Sequence, residues 1–216
     1  MMMARYARAE VAALLVGGAV ATGGVALVFG WWALLPALLA AALLSFYRDP
    51  PRRIPARPDA LLAPADGRIV AIERETPAGG APQLRVVIFL SVFNVHVNRS
   101  PCAGRVAAIN YQPGKFLNAL DDRSNTENES NTLELAPRAP LPGPIRVRQI
   151  AGVLARRIVC VARVGDELTA GQRFGMIKLG SRTELSAPDD GRWRVDVRVG
   201  QAARGGVTVL LTRAEA

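Results

Sequence analysis

Three short segments carry side chains whose type and spacing suit chemistry. The first, Phe93-Asn94-Val95-His96-Val97-Asn98-Arg99-Ser100-Pro101, holds His96, the single histidine of the chain. Side chains alternate across an extended strand, so Asn94, His96 and Asn98 share one face while Val95 and Val97 take the other. An imidazole on a polar stripe is a general acid or base near neutral pH. The second is Asp66, in an Ala-Asp-Gly turn that suits Asp and Gly for local reasons alone. The third is Phe174-Gly175-Met176-Ile177-Lys178-Leu179-Gly180-Ser181-Arg182, an apolar run ending in Gly-Ser. It lacks the second glycine of the nucleophile elbow G-x-S-x-G. What it offers is a hydroxyl directly after an unhindered glycine carbonyl. Given a base, Ser181 can attack its own preceding peptide bond.

The elements that must position these groups are strands. Gly, Pro, Asn and Asp recur about every 8–12 residues and separate runs rich in Val, Ile and Leu, which indicates an all-β, mainly antiparallel barrel or sandwich. The runs are Arg68 to Glu73, Leu84 to Leu90, Arg105 to Tyr111, Asn131 to Leu135, Ile145 to Ala151, Arg157 to Val164, Arg173 to Leu179, Arg192 to Val199 and Gly206 to Leu211. Gly152 to Ala155 reads as a turn. Ala-Pro-x-Asp-Gly-Arg recurs near 63–68 and 187–192, each time as a turn entering a strand. With Gly165-Asp166-Glu167-Leu168-Thr169-Ala170-Gly171, this pattern resembles the barrel-sandwich hybrid of lipoyl and biotinyl domains. Such carriers need a lysine at a hairpin tip. Neither Lys115 nor Lys178, the only lysines, occupies one, so carrier function does not follow.

Ahead of these strands the chain changes character. From Val11 to Tyr47 there is no Asp, Glu, Lys or Arg. One helix of that length would overrun a bilayer core of about 30 Å, so the segment should break near Phe29-Gly30-Trp31-Trp32 into halves Val11 to Val28 and Ala33 to Phe46. Arginines on both flanks fit a hairpin with both ends cytoplasmic. A cleaved signal peptide is the competing reading, but the apolar part is long and lacks an Ala-x-Ala exit. Asp49 to Pro55 reads as an extended linker, which divides the chain into 1–58, a membrane anchor, and 59–216, one folded domain starting near Asp59.

Composition narrows the function classes. The net charge is +9 and all but two of the 27 basic residues are Arg. They are scattered, and aromatic residues are too few for stacking platforms, which argues against nucleic acid and for anionic lipid headgroups. Cys102 and Cys160 lie far apart, without the C-x-x-C spacing of a metal or redox site, so no metal is expected.

Ala63-Pro64-Ala65-Asp66-Gly67, the His96 segment, Asn125-Thr126-Glu127-Asn128-Glu129-Ser130-Asn131 and the Phe-Gly-x-Ile-x-x-Gly-Ser run at 174–181 occur in that order. Together they resemble the phosphatidylserine decarboxylase family in its short bacterial and archaeal form. The resemblance covers nearly the whole chain, anchor included. It implies a proenzyme that cuts itself between Gly180 and Ser181 into a β chain, 1–180, and an α chain, 181–216, with Ser181 becoming a pyruvoyl group and no pyridoxal phosphate. It further implies that Ser181, His96 and Asp66 are catalytic, with Asp66 orienting His96. The reaction would convert phosphatidylserine to phosphatidylethanolamine and carbon dioxide through a Schiff base, within phospholipid biosynthesis on the cytoplasmic face of the cell membrane. The partners expected are the lipid and the two chains of one precursor; homo-oligomerisation stays open. Arg99, Lys115 and Arg182 are the cations nearest the motifs and the candidates for the phosphodiester. Two departures stand out. Longer members carry Thr after the Gly-Ser, where this chain has Arg182, and a second histidine where it has Arg99. His96 must then serve both self-cleavage and decarboxylation, or another residue takes one task. The alternatives are a pyruvoyl decarboxylase of a soluble amino acid and a non-enzymatic, membrane-anchored barrel-sandwich module.

Overall fold

The computed structural model describes residues 3–76, 80–118, 121, 123–153, 157–178 and 181–214. The chain divides into two compact units, Met1–Pro51 and Arg52–Ala216. The first is a helical hairpin. After a short 3-10 turn, α1 runs over Arg8–Phe29, a second 3-10 turn over Gly30–Ala33, and α2 over Leu34–Phe46. The break falls where glycine permits it, since Gly30 has φ 56°, a left-handed conformation costly for other residues. The stretch from Arg5 to Phe46 has a mean hydropathy of 2.2, and Leu27 and Trp31 are exposed. Side chains this apolar left outward on both helices are what a lipid solvent accepts and water does not. The helices approach closely at Gly18, where an added Cβ would lie 2.7 Å from that of Ala40. At the base, Ala4 N–H donates to the Tyr47 carbonyl at 2.7 Å, so the two ends of the hairpin emerge together.

The second unit is mainly antiparallel β. Its strands are β1 (Ala60–Leu62), β2 (Gly67–Glu75), β3 (Gln83–Leu90), β4 (Val97–Arg99), β5 (Gly104–Gln112), β6 (Ser130–Pro137) and β7 (Ile145–Ala151). They continue with β8 (Arg157–Cys160), β9 (Glu167–Leu168), β10 (Arg173–Lys178), β11 (Ser181–Pro188), β12 (Trp193–Val195), β13 (Ala202–Ala203) and β14 (Val209–Arg213). One helical turn, α3 (Ser124–Glu127), precedes β6. The main sheet, in the order β13-β2-β3-β11-β7-β6-β5-β9, curls into a half-barrel; two three-stranded sheets, β1-β14-β12 and β4-β10-β8, complete the unit. One core joins them, with Leu61, Ile69, Ile88, Leu133, Phe174 and Leu211 all fully buried. This is the expected fold class.

The expected runs correspond to strands with adjusted ends. Gly206 to Leu211 becomes a strand only from Val209, because Gly206 has φ 73° and Val207 and Thr208 N–H both donate to the Arg204 carbonyl in a turn. Arg157 to Val164 stops at Cys160, and Arg192 to Val199 shrinks to β12. The turn expected at Gly152 to Ala155 lies partly outside the described residues, as do Leu179 and Gly180. The largest omission is β11. Its four consecutive polar residues, Ser181 to Glu184, conceal a strand that is buried on both faces along most of its length. The part of the linker from Arg52 onward belongs to the β unit. Arg52 pairs with Asp66, and the Ile54 side chain occupies space that a Cβ on Gly171 or Gly206 would need.

Candidate active site

Ser181 opens β11, flanked by Leu90 of β3 on one side and Ala151 of β7 on the other. It is fully buried, and among the described residues its Oγ has no hydrogen-bond partner. A buried hydroxyl left unpaired costs about 1–3 kcal/mol, a cost that persists where the group has another use. Ser181, Thr183 and Leu185 take the core side of β11. Arg182 and Glu184 take the other and pair at 3.2 Å.

His96 is also fully buried. Its carbonyl accepts the Ile177 N–H at 3.1 Å, and in the next position Val97 opposes Met176. The imidazole segment is thereby fastened alongside β10, the strand that leads into Ser181. Nδ1 lies 2.9 Å from the Asn94 carbonyl oxygen. A carbonyl can only accept, so Nδ1 carries the proton in this contact and the basic lone pair belongs to Nε2.

A buried amide network braces both residues. Gln149 donates to Asn98 Oδ1 at 2.8 Å and accepts from Asn131 Nδ2 at 2.9 Å, while Asn98 donates to Thr183 Oγ1 at 3.3 Å. The two links through Asn98 join strands that are distant in sequence and end two residues from His96 or Ser181. Gly175 makes room for it, since a Cβ there would lie 2.2 Å from the Val159 carbonyl oxygen and 3.2 Å from Gln149 Nε2.

Asp66 stands elsewhere than expected. Its Oδ2 accepts Arg52 Nη2 at 2.7 Å and its Oδ1 accepts the Gly205 N–H at 2.8 Å. The carboxylate is therefore committed to the linker and the Gly205 turn, and the expected bond to His96 is replaced by the Asn94 carbonyl. Arg99 joins this cluster: it is buried, its N–H donates to the Pro64 carbonyl and its guanidinium to the Gly171 carbonyl at 3.2 Å. Lys115 is exposed and donates to Glu127 at 2.8 Å. Arg182 meets Glu184 and Asn125 on the face of β11 opposite Ser181. The structure thus ties Asn98 and Thr183, each two residues from His96 or Ser181, through the amide network, and separately pairs Asp66 with Arg52.

Sequence reasoning passed over Lys178, a buried cation that closes β10 two residues before the Gly180–Ser181 bond. Its signal was composition, as one of two lysines among 27 basic residues. Gln149 and Arg52 carried no local signal, and Asn131 only that of the polar segment it ends. The Cys102 thiol is pushed up to about 12 by burial, and burial also raises Cys160, so neither is a ready nucleophile. Among the described residues no group of three His, Cys, Asp or Glu side chains is placed to hold a metal.

Fold and site together describe a β-sheet protein with a buried serine at the head of a central strand. The family model of phosphatidylserine decarboxylase matches residues 39–211. A phosphatidylserine decarboxylase proenzyme of Cupriavidus pinatubonensis is 44% identical over 83% of this chain and 82% of its own. That of Rhodopirellula baltica is 50% identical over 83% and 76%, and that of Burkholderia pseudomallei 42% identical over 94% and 88%. The chain belongs to the phosphatidylserine decarboxylase family, carboxy-lyases processed from a proenzyme. Membership supports neither the soluble amino-acid decarboxylase nor the non-enzymatic module.

Proposed function

We propose that this chain is a proenzyme that cuts itself between Gly180 and Ser181 and then decarboxylates phosphatidylserine at the membrane surface. The observation that carries this reading is Ser181 Oγ, fully buried and unpartnered among the described residues, at the head of β11.

In the proenzyme, His96 Nε2 takes the proton from Ser181, whose oxygen attacks the Gly180 carbonyl carbon. The peptide C–N bond breaks and an ester forms, freeing the Ser181 amine. Loss of the Ser181 Cα proton and cleavage of its Cβ–Oγ bond then release the Gly180 carboxylate and leave dehydroalanine. Water converts this to a pyruvoyl end and ammonia. The orphaned hydroxyl fits this fate, because a residue destined to lose its oxygen gains nothing from a fixed partner. The pyruvoyl carbonyl supplies the electron sink that decarboxylation requires. The chain's own residues do the rest. His96 holds a proton for the carbon that loses carbon dioxide, and the Asn98–Gln149–Asn131 network keeps its strand in register with β11. Asp66 acts at one remove, by fastening the linker beside Arg99. Lys115 is the exposed candidate for the phosphodiester; Arg99 and Arg182, both buried and engaged, would contribute field more than contact.

The reading includes the anchor and the boundaries 1–58 and 59–216. The 22 residues of α1 extend about 33 Å, enough for a bilayer core of about 30 Å, whereas the 13 of α2 extend about 20 Å and need the Gly30–Ala33 turn to approach it. With both ends joined at Ala4 and Tyr47 and arginine on either flank, the hairpin enters and returns to the cytoplasmic side.

Intact-mass spectrometry of the full chain in detergent tests the proposal. The expected result is two fragments divided between 180 and 181, the smaller blocked at its N-terminus, and carbon dioxide release from phosphatidylserine vesicles. Ser181→Ala should remain one 23.0 kDa chain without activity. Cleavage in that variant would overturn the assignment.

A further inference from the structure

The single histidine is held by a short turn that begins ahead of its own motif, at Ser91. After β3 ends at Leu90, Ser91 N–H and Ser91 Oγ–H both donate to Asn94 Oδ1, at 2.9 and 2.8 Å. The Asn94 N–H donates back to the Ser91 carbonyl at 3.0 Å. The turn is thus closed by three hydrogen bonds, an Asx-type device in which a side-chain oxygen stands in for a backbone acceptor. Apolar packing adds little, since Phe93 within it is 82% exposed. The product of the closure is the direction of one carbonyl, that of Asn94, which points at His96 Nδ1. On the far side, the Ile177 N–H donor fixes the His96 main chain. Bounded in this way, the imidazole keeps Nδ1 against the Asn94 carbonyl.

We propose that the Ser91–Asn94 turn, and not Asp66, orients His96, with Asn94 as a positioning residue that keeps the proton on Nδ1 and the lone pair on Nε2. This rests on the reading of His96 as the base. In serine hydrolases a carboxylate fixes the imidazole and stabilises its cationic form. Here both Asp66 oxygens are occupied by Arg52 and the Gly205 N–H, and a neutral carbonyl takes the orienting role. A carbonyl fixes the tautomer as firmly but offers less to the imidazolium.

One histidine makes the test spectroscopically clean. The full chain carrying Ser181→Ala, which holds the precursor uncut, is labelled with 15N-histidine in detergent micelles, and two-bond couplings from the ring protons assign the tautomer. The expected result is the Nδ1–H form in the parent, in Asn94→Asp, which retains the side-chain acceptor, and in Asp66→Asn. Asn94→Ala should give a mixture of tautomers. In the Ser181 background, self-cleavage should slow about 10-fold in Asn94→Ala and recover to within about 3-fold in Asn94→Asp, within the range of a displaced general base. Should Asn94→Ala fail to fold, Ser91→Ala removes one of the two donors and carries the same readout. An Nε2–H imidazole in the parent, or a tautomer that shifts in Asp66→Asn and not in Asn94→Ala, would overturn the proposal. Normal cleavage in His96→Asn would instead overturn the reading of His96 as base.

Discussion

Replacing Gln149 by Leu tests whether the buried amide network holds the site together. The substitution keeps volume and removes both polar atoms. It strands Asn98 Oδ1, which loses a donor at 2.8 Å, and Asn131 Nδ2, which loses an acceptor at 2.9 Å. Gln149 is fully buried and Asn98 and Asn131 are nearly so, so water cannot take its place. Each stranded group costs about 1–3 kcal/mol, giving about 2–6 kcal/mol, a large share of the 5–15 kcal/mol typical of a folded domain. For a unit of this size about 1 kcal/mol lowers Tm by roughly 2–4 °C, so a fall of at least about 4 °C is expected. The assay is thermal unfolding of the full chain carrying Ser181→Ala, followed by circular dichroism in detergent, with Gln112→Leu as an exposed-strand control. Self-cleavage in the Ser181 background should slow as well, because Asn98 and Thr183 stand two residues from His96 and Ser181. A Gln149→Leu chain that melts within about 1 °C of the Gln112→Leu control would refute the reasoning.

Three further outcomes are expected. Arg52→Ala removes the charged partner of Asp66 from a largely buried pair at 2.7 Å and should cost about 1.5–3 kcal/mol, with Arg52→Lys recovering part of it; limited proteolysis of the linker would report its release, and unchanged resistance would count against the Asp66 anchor. Cys102 and Cys160 should resist iodoacetamide at pH 8 until the chain is denatured, because burial raises both thiols and keeps the thiolate scarce; rapid labelling of Cys102 in the folded chain would contradict its burial. Asp190 is held below the usual carboxylate range by hydrogen bonds from Arg213, so the pair stabilises the fold above about pH 4 and that contribution is lost as the pH falls through the lowered value. The fold should therefore lose Tm on acidification more steeply than Asp190→Asn, with 0.5 M salt narrowing the gap because the pair is partly exposed; parallel curves would show that the pair contributes nothing.

Much of this architecture was legible in the residues themselves. A charge-free stretch from Val11 to Tyr47 cannot fold into a β unit, and glycine beside two tryptophans marks where its helix gives way; Gly30 occupies that position with φ 56°. The runs at 84–90 and 145–151 became strands because β-branched residues and flanking turns are local properties. The motif around Gly180-Ser181 and the lone His96 indicated the chemistry for the same reason: reactive groups and their immediate neighbours are written contiguously. Strand β11 was invisible, since the four polar residues from Ser181 to Glu184 give no strand signal until Arg85 is there to pair with Glu184. The pairing of Asn98, Gln149 and Asn131 was equally silent, because an amide in a strand reads as solvated until another strand supplies its partner. Asp66 shows the limit most clearly. Its residue type suited a carboxylate for His96, but a side chain bonds to whatever the tertiary fold brings within about 3 Å, and here the linker brought Arg52 and a turn brought Gly205. Sequence set which groups were available and which faces were apolar; the pairing of distant strands decided who met whom, because hydrogen-bond partners are fixed by register across the chain and not by neighbours along it.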